Sequence, residues 1–182
     1  GLCLELSGDI ETSESILLTA IQKKDSDKSL ITWHVIRLMI RLGKNKEAIN
    51  YGLLTLKNHN INIDEYSDTL YSFLYLIKTK WILNRSPLDS FRLQKKDTDD
   101  PLDLILAQLI APSFMENKHL MIPIIYHLFK RMINNGPTVI SGFTMSCWGL
   151  VLTIIGKKKL ALEWANEAIN QVMINKSNLM LA

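Results

Sequence analysis

IIGKKKLALEWANEAI, Ile154 to Ile169, sets one glycine and three lysines between two apolar runs. A phosphate-binding loop needs a second glycine and a Ser or Thr behind its lysine, so that backbone N–H groups can wrap the phosphates. This stretch has neither, and the residues before it follow a helical period rather than a strand. It reads instead as a turn. Gly156 ends one helix in the left-handed conformation open to glycine, and Lys157, Lys158 and Lys159 form an exposed corner. Leu160, Ala161, Trp164, Ala165, Ala168, Ile169 and Val172 then make the inner face of the next helix.

The pattern occurs twice more, in GDIETSESILLTAI from Gly8 and GKNKEAINYGLLTL from Gly43. Each glycine is followed by four mostly polar residues and then a small one, at Ser13, Ala48 and Ala161. A small or apolar position follows four residues later, at Leu17, Gly52 and Ala165. Small residues there let neighbouring antiparallel helices approach closely. Gly8 and Gly43 are 35 residues apart, near the roughly 34-residue unit of tetratricopeptide repeats.

Helical spacing runs through the rest of the chain. It predicts buried stripes on Ile31, Val35, Leu38, Met39 and Leu42, and on Tyr66, Leu70, Phe73, Leu74, Ile77 and Trp81. Two more stripes fall on Leu102, Ile105, Leu106, Leu109 and Ile110, and on Ile125, Leu128, Phe129, Met132 and Ile133. Gly136 to Gly156 carries no charge over 21 residues, about the length of a membrane span. Its polar Thr and Ser residues, and the spacing of Phe143, Cys147, Leu150, Val151 and Ile154, favour a buried central helix. No segment alternates like a strand. The expectation is an all-α chain of about nine helices. It forms one domain over 1–182, with tetratricopeptide-like pairs over 1–84, an exposed loop over 85–99 and further pairs over 100–182. Asp99 or Asp100 should start a helix with Pro101 in its first turn, and Pro123 should delay or kink the one after it.

Three stretches carry a family resemblance: Gly43–Ile63, Asp100–Gly136 and Ser141–Ile169. In them the chain resembles the helical-repeat region of large multidomain signalling kinases. There, a Ser/Thr-kinase-like domain and an AAA-type ATPase precede the repeats, and a GAF domain, often with a histidine kinase, follows. The resemblance implies a right-handed, tetratricopeptide-like solenoid of antiparallel helix pairs. It also implies a cytoplasmic, non-catalytic regulatory module that binds a protein partner or neighbouring domains of its own chain. The opening GLCLELSGD, without an initiator methionine, is then expected to be internal to a longer protein.

The chemistry-bearing residues agree with a non-catalytic reading. Twenty-one basic and 18 acidic residues give a net charge of +3, too balanced to argue for nucleic acid. Lys23-Lys24, Lys95-Lys96 and Lys157–Lys159 form separate clusters rather than one basic stripe. His34, His59, His119 and His127 lack metal-ligand spacing, and neither a metal nor a cofactor is expected. Asp97 to Asp103, DTDDPLD, lacks the glycine and terminal glutamate of a calcium loop. Cys3 and Cys147 sit in apolar runs and read as buried thiols. Glu163 and Glu167 read as a solvated outer face, and His34 and His127 as hydrogen-bonded helix residues. The competing reading is a small-ligand or enzymatic domain with a polar pocket between helices. It requires at least two of Asp103, His127, Cys147 and Glu163 in one pocket. Trp33, Trp81, Trp148 and Trp164 fall in four helices and read as core residues whose indole N–H groups find partners. Trp33, Tyr66, Tyr71, Lys157, Lys158 and Lys159 are the candidate partner surface.

Overall fold

The computed structural model describes Thr12 and residues 28–66, 68–83 and 100–175. Gly8, Cys3 and the loop expected over 85–99 lie outside the described residues, as does part of the stretch counted into nine helices. The described residues hold seven helices and no strand. They are α1 (Lys28–Arg41), α2 (Asn45–Asn58), α3 (Thr69–Leu83), α4 (Pro101–Glu116), α5 (Lys118–Asn135), α6 (Ser141–Ile154) and α7 (Lys158–Asn175). None is long and apolar enough to cross a membrane.

One helix-ending device is used three times. After α1, Gly43 takes a φ of +74°. Its N–H donates to the Ile40 carbonyl at 3.0 Å, and the Lys44 N–H donates to that of Met39 at 2.9 Å. After α6, Gly156 has a φ of +78°, with the same pair of bonds to Thr153 and Leu152. This paired closure satisfies carbonyls that a helix end leaves open. A Cβ at either glycine would meet nothing within 4 Å, so the backbone dihedral alone demands glycine. The third closure follows α2 and uses Asn60, at a φ of 62°. Its bonds run from Asn60 to Lys57 and from Ile61 to Leu56.

The short connections fold the helices into antiparallel pairs. In α1 and α2, Ser29 Oγ near the start meets His59 Nε2 just past the end, at 3.5 Å. α4 and α5 share one residue between them. Asn117 closes α4, and its side chain accepts from the His119 N–H to cap α5. In α6 and α7, a Cβ at Gly142 would lie 2.5 Å from Val172 Cγ2 and 3.0 Å from the Ala168 carbonyl, so only glycine allows that approach. α1 and α2 both pack on α4, and α5 packs on α6. At Gly52 of α2 an added Cβ would meet Leu109 of α4 at 2.7 Å. Ala48, Ala161 and Ala168 are buried, and Ala165 is partly buried. The centre of the second half is aromatic. Phe129 of α5 stacks on Trp148 of α6 with centroids 3.7 Å apart, and meets Trp164 of α7 edge-on at 5.1 Å. All three are buried.

Two stripes differ from expectation. In α6, Leu150 and Ile154 are about half exposed, while Gly142, Met145, Trp148, Gly149 and Leu152 face inward. The glycine side wins because it lets α7 come closest. Ile169 and Val172 of α7 are correspondingly half exposed. The Trp148 indole N–H also has no hydrogen-bond partner among the described residues.

The larger difference is α3, which turns its apolar side outward. Leu70, Phe73, Leu74, Ile77 and Trp81 are 48–67% exposed, while Ser72, Tyr75, Thr79 and Ile82 are buried. The buried side meets α5. That helix runs unbroken through Pro123, whose missing N–H deprives the His119 carbonyl of its regular partner. Ser72 Oγ of α3 donates to that carbonyl at 2.8 Å. Thr79 Oγ1 returns its own bond to the Tyr75 carbonyl at 2.8 Å. The polar side of α3 can therefore be buried fully satisfied, and it is the side that docks.

Gly43→Ala and Gly156→Ala should each cost about 1–2 kcal/mol, the strain of a left-handed residue with a Cβ, read from urea unfolding midpoints. Ser72→Ala should cost about 1–3 kcal/mol by leaving the His119 carbonyl unsatisfied. Wild-type stability in Ser72→Ala would show that the carbonyl does not orient α3.

Candidate interaction surface

α2, the segment after it and the start of α3 enclose an open groove of about 610 Å³. Leu53, Leu54 and Ile63 supply its apolar lining, and Lys57, Tyr66 and Tyr71 line it with them. The Asn60 closure directs the chain from α2 into this lining, and Ile61 beneath it is buried. Tyr66 is 83% exposed. It precedes α3 rather than joining its stripe, and its N–H donates to Asp64 Oδ1 at 3.0 Å. Asp68 Oδ1 accepts the Tyr71 N–H at 2.8 Å, which fixes the start of α3.

A chain of hydrogen bonds leads from the groove inward. The Asp64 N–H donates to Tyr71 Oη at 3.2 Å. Tyr71 Oη lies 3.4 Å from Tyr75 Oη, which lies 3.2 Å from His127 Nε2. Tyr126 packs edge-on against both Tyr75 and His127, and Lys78 Nζ sits 4.3 Å from the Tyr75 ring centroid. Burial lowers the His127 pKa to about 4, assisted by the positive charges of Lys130, Lys78 and Arg131. Burial also raises the Tyr75 hydroxyl, helped by its hydrogen bond with Tyr71 and by the charges of Tyr71 and Tyr126. Burial raises Tyr126 as well. Tyr75, Tyr126 and His127 are therefore neutral across ordinary pH. A histidine held that low is a weak base, and a tyrosine held that high is a weak acid. What the arrangement does is hold the groove wall against α5.

The other polar residues are spoken for elsewhere. Arg131 of α5 pairs with Asp103 in the first turn of α4, and its Nη2 reaches Asp100 Oδ2 at 2.7 Å. Asp103 is only 3% exposed. Burial works against the Arg131 charge, but hydrogen bonds to and charges on Asp103 and Asp100 outweigh it and raise its pKa. Asp100 also caps α4 by accepting the Leu102 N–H, just before Pro101. The Cys147 thiol is pushed up to about 12 by burial, opposite to what an activated nucleophile needs. Glu167, expected on the outer face, is buried and accepts from Gln171 Nε2 at 3.0 Å. Shielded from water, its carboxylate needs that bond.

Of the sequence candidates, Tyr66 and Tyr71 come together in the α2–α3 groove. Lys157, Lys158 and Lys159 line a separate open groove of about 430 Å³ with Glu163. Trp33 lines neither; it is partly buried, with Arg37 Cζ 5.8 Å from its ring centroid. Neither groove contains two of Asp103, His127, Cys147 and Glu163. No group of three potential metal ligands occurs among the described residues. Sequence reading missed Leu53, Leu54, Lys57 and Ile63. The signal for them was Asn60 in NHNIN, an asparagine able to end a helix as glycine does.

Among the described residues the fold is all-helical, with three antiparallel pairs and α3 packed on α5. Compared with known proteins, the chain matches no family model, no curated protein and no solved structure.

Because folded His127 titrates near 4 and an unfolded histidine near 6.5, the unfolded chain binds more protons between those values. The stability that comes from neutral His127 is complete above about pH 6.5 and is lost as pH falls toward 4, by up to about 3 kcal/mol. Urea midpoints between pH 7 and 4 should fall steeply in wild type and less steeply in His127→Gln.

Proposed function

We propose that this chain is a non-catalytic, protein-binding helical-repeat module of the antiparallel-pair solenoid type. In this reading it is a cytoplasmic regulatory arm of the kind that accompanies ATPase and kinase domains in signalling proteins. The observation that carries the binding function is the groove between α2 and α3. It is apolar along its wall, edged by Lys57 and Asp64, and fronted by the exposed Tyr66. An exposed tyrosine over an apolar wall suits peptide or helix capture, because a rigid ring offers large contact area at low entropic cost. Three antiparallel pairs, each packed on the next, support the solenoid part of the reading. The link to signalling kinases rests on the resemblance in Gly43–Ile63, Asp100–Gly136 and Ser141–Ile169 alone. The neutral state of Tyr75 and His127 and the raised Cys147 thiol weigh against the enzymatic alternative.

Leu54 and Tyr66 are exposed, so Leu54→Glu and Tyr66→Ala should fold as wild type does. In affinity capture from the source cells, each should lower partner retention by at least about tenfold. Lys159→Ala should not, and Gly43→Val serves as the misfolded control. Groove variants that fold normally and retain the same proteins at the same level would reject the reading.

A further inference from the structure

The α2–α3 groove continues past Glu65. Asn50 and Glu65 line both it and a smaller recess of about 160 Å³, which Lys46, Glu116 and Leu120 also line. One side of the joined cleft is therefore α2 from Lys46 to Lys57, where the lining residues recur at helical spacing. At the helical rise of about 1.5 Å per residue that run is about 16 Å long, or about three turns. The charges along it are unequal. Glu116 meets Lys46 at 3.9 Å. Of the other charged residues described in the lining, Asp64 and Glu65 are acidic and Lys57 is basic. Asp64 Oδ1 accepts the Tyr66 N–H, a neutral donor that leaves the carboxylate charge in place. The Tyr66 ring in the same lining is 83% exposed.

We propose that the groove takes an amphipathic helix of about three turns, laid along α2, with a basic flank against Glu65 and Asp64. The proposal rests on the protein-binding reading and adds the chemistry of its partner. Apolar side chains of such a helix would cover Leu53, Leu54 and Ile63. A Lys or Arg on its flank would pair with Glu65, where the two recesses join, and lie over the Tyr66 ring. That combines a charge-assisted hydrogen bond with a cation–π contact. An acidic flank would instead set like charge against Glu65.

Fluorescence anisotropy on the full 182-residue chain tests this with two labelled synthetic helices of about 14 residues. Both carry the same leucine face, and the opposite face is lysine in one and glutamate in the other. The chain as a whole carries a net charge of +3, so attraction to the whole molecule would favour the glutamate helix. The lysine helix is expected to bind at least about tenfold tighter, by a margin that shrinks with salt. Glu65→Lys, at an exposed position, should remove most of that margin. Leu54→Ser should weaken the lysine helix at least about fivefold. Both variants should keep the circular dichroism of wild type. Ile77→Ser, on the outward face of α3, should leave binding unchanged. Equal binding of the two helices overturns the proposal, and so does a margin indifferent to Glu65→Lys. Binding lost in Ile77→Ser but kept in Leu54→Ser overturns the groove as its place. A lysine helix that fails to bind, while Leu54→Glu still loses its captured partner, refutes the basic helix and leaves the protein-binding reading intact.

Discussion

The bond from Ser72 Oγ to the His119 carbonyl, 2.8 Å long, sets the orientation on which the chain's surface depends. Pro123 creates the need for it by removing the N–H that a regular helix would supply. Leaving that carbonyl unsatisfied would cost about 1–3 kcal/mol, and the Ser72 bond lets the polar side of α3 be buried without that cost. α3 therefore docks with its Ser72, Tyr75 and Thr79 side, and Leu70, Leu74, Ile77 and Trp81 are left facing out.

The tyrosine–histidine chain extends the same logic to the groove. Tyr71 takes the Asp64 N–H, Tyr75 lies between Tyr71 and His127, and burial keeps Tyr75 and His127 uncharged. A neutral network of this kind rigidifies a wall at little electrostatic cost. Arg131 plays the corresponding part at the far end of the α4–α5 pair. There two carboxylates offset the burial of its charge. The groove wall and α3 are thus anchored to α5, whose inner side is fixed by the stack of Phe129 on Trp148.

Much of the helical architecture was legible locally. Ile105, Leu106 and Leu109 of α4, and Ile125, Leu128 and Phe129 of α5, face inward as their spacing predicts. These helices have partners on the sides the pattern favours. The Asp100-Pro101 start of α4 was legible because capping involves only neighbours in sequence. α6 was only partly legible, since Gly142 and Gly149 gain their meaning from how closely α7 can approach. Of the groove, Tyr66 and Tyr71 line one part, although periodicity puts Tyr66 on the same stripe as Leu70 and Trp81. Its floor was not legible, because Asn60 does there what glycine does elsewhere.

The sequence by itself determined that the described residues are all-helical, where several helices begin and end, and that catalytic spacing patterns are missing from the chain. Those properties come from periodicity, capping and backbone dihedrals, which act within a few residues. Only the tertiary structure decided which way α3 faces, that Glu167 and Asp103 are buried, and that Tyr71 and His127, far apart in sequence, belong to one network. The facing of α3 and the network each depend on where a donor meets an acceptor from another helix. No window on α3 alone contains the carbonyl that Pro123 leaves open on α5 and that Ser72 meets.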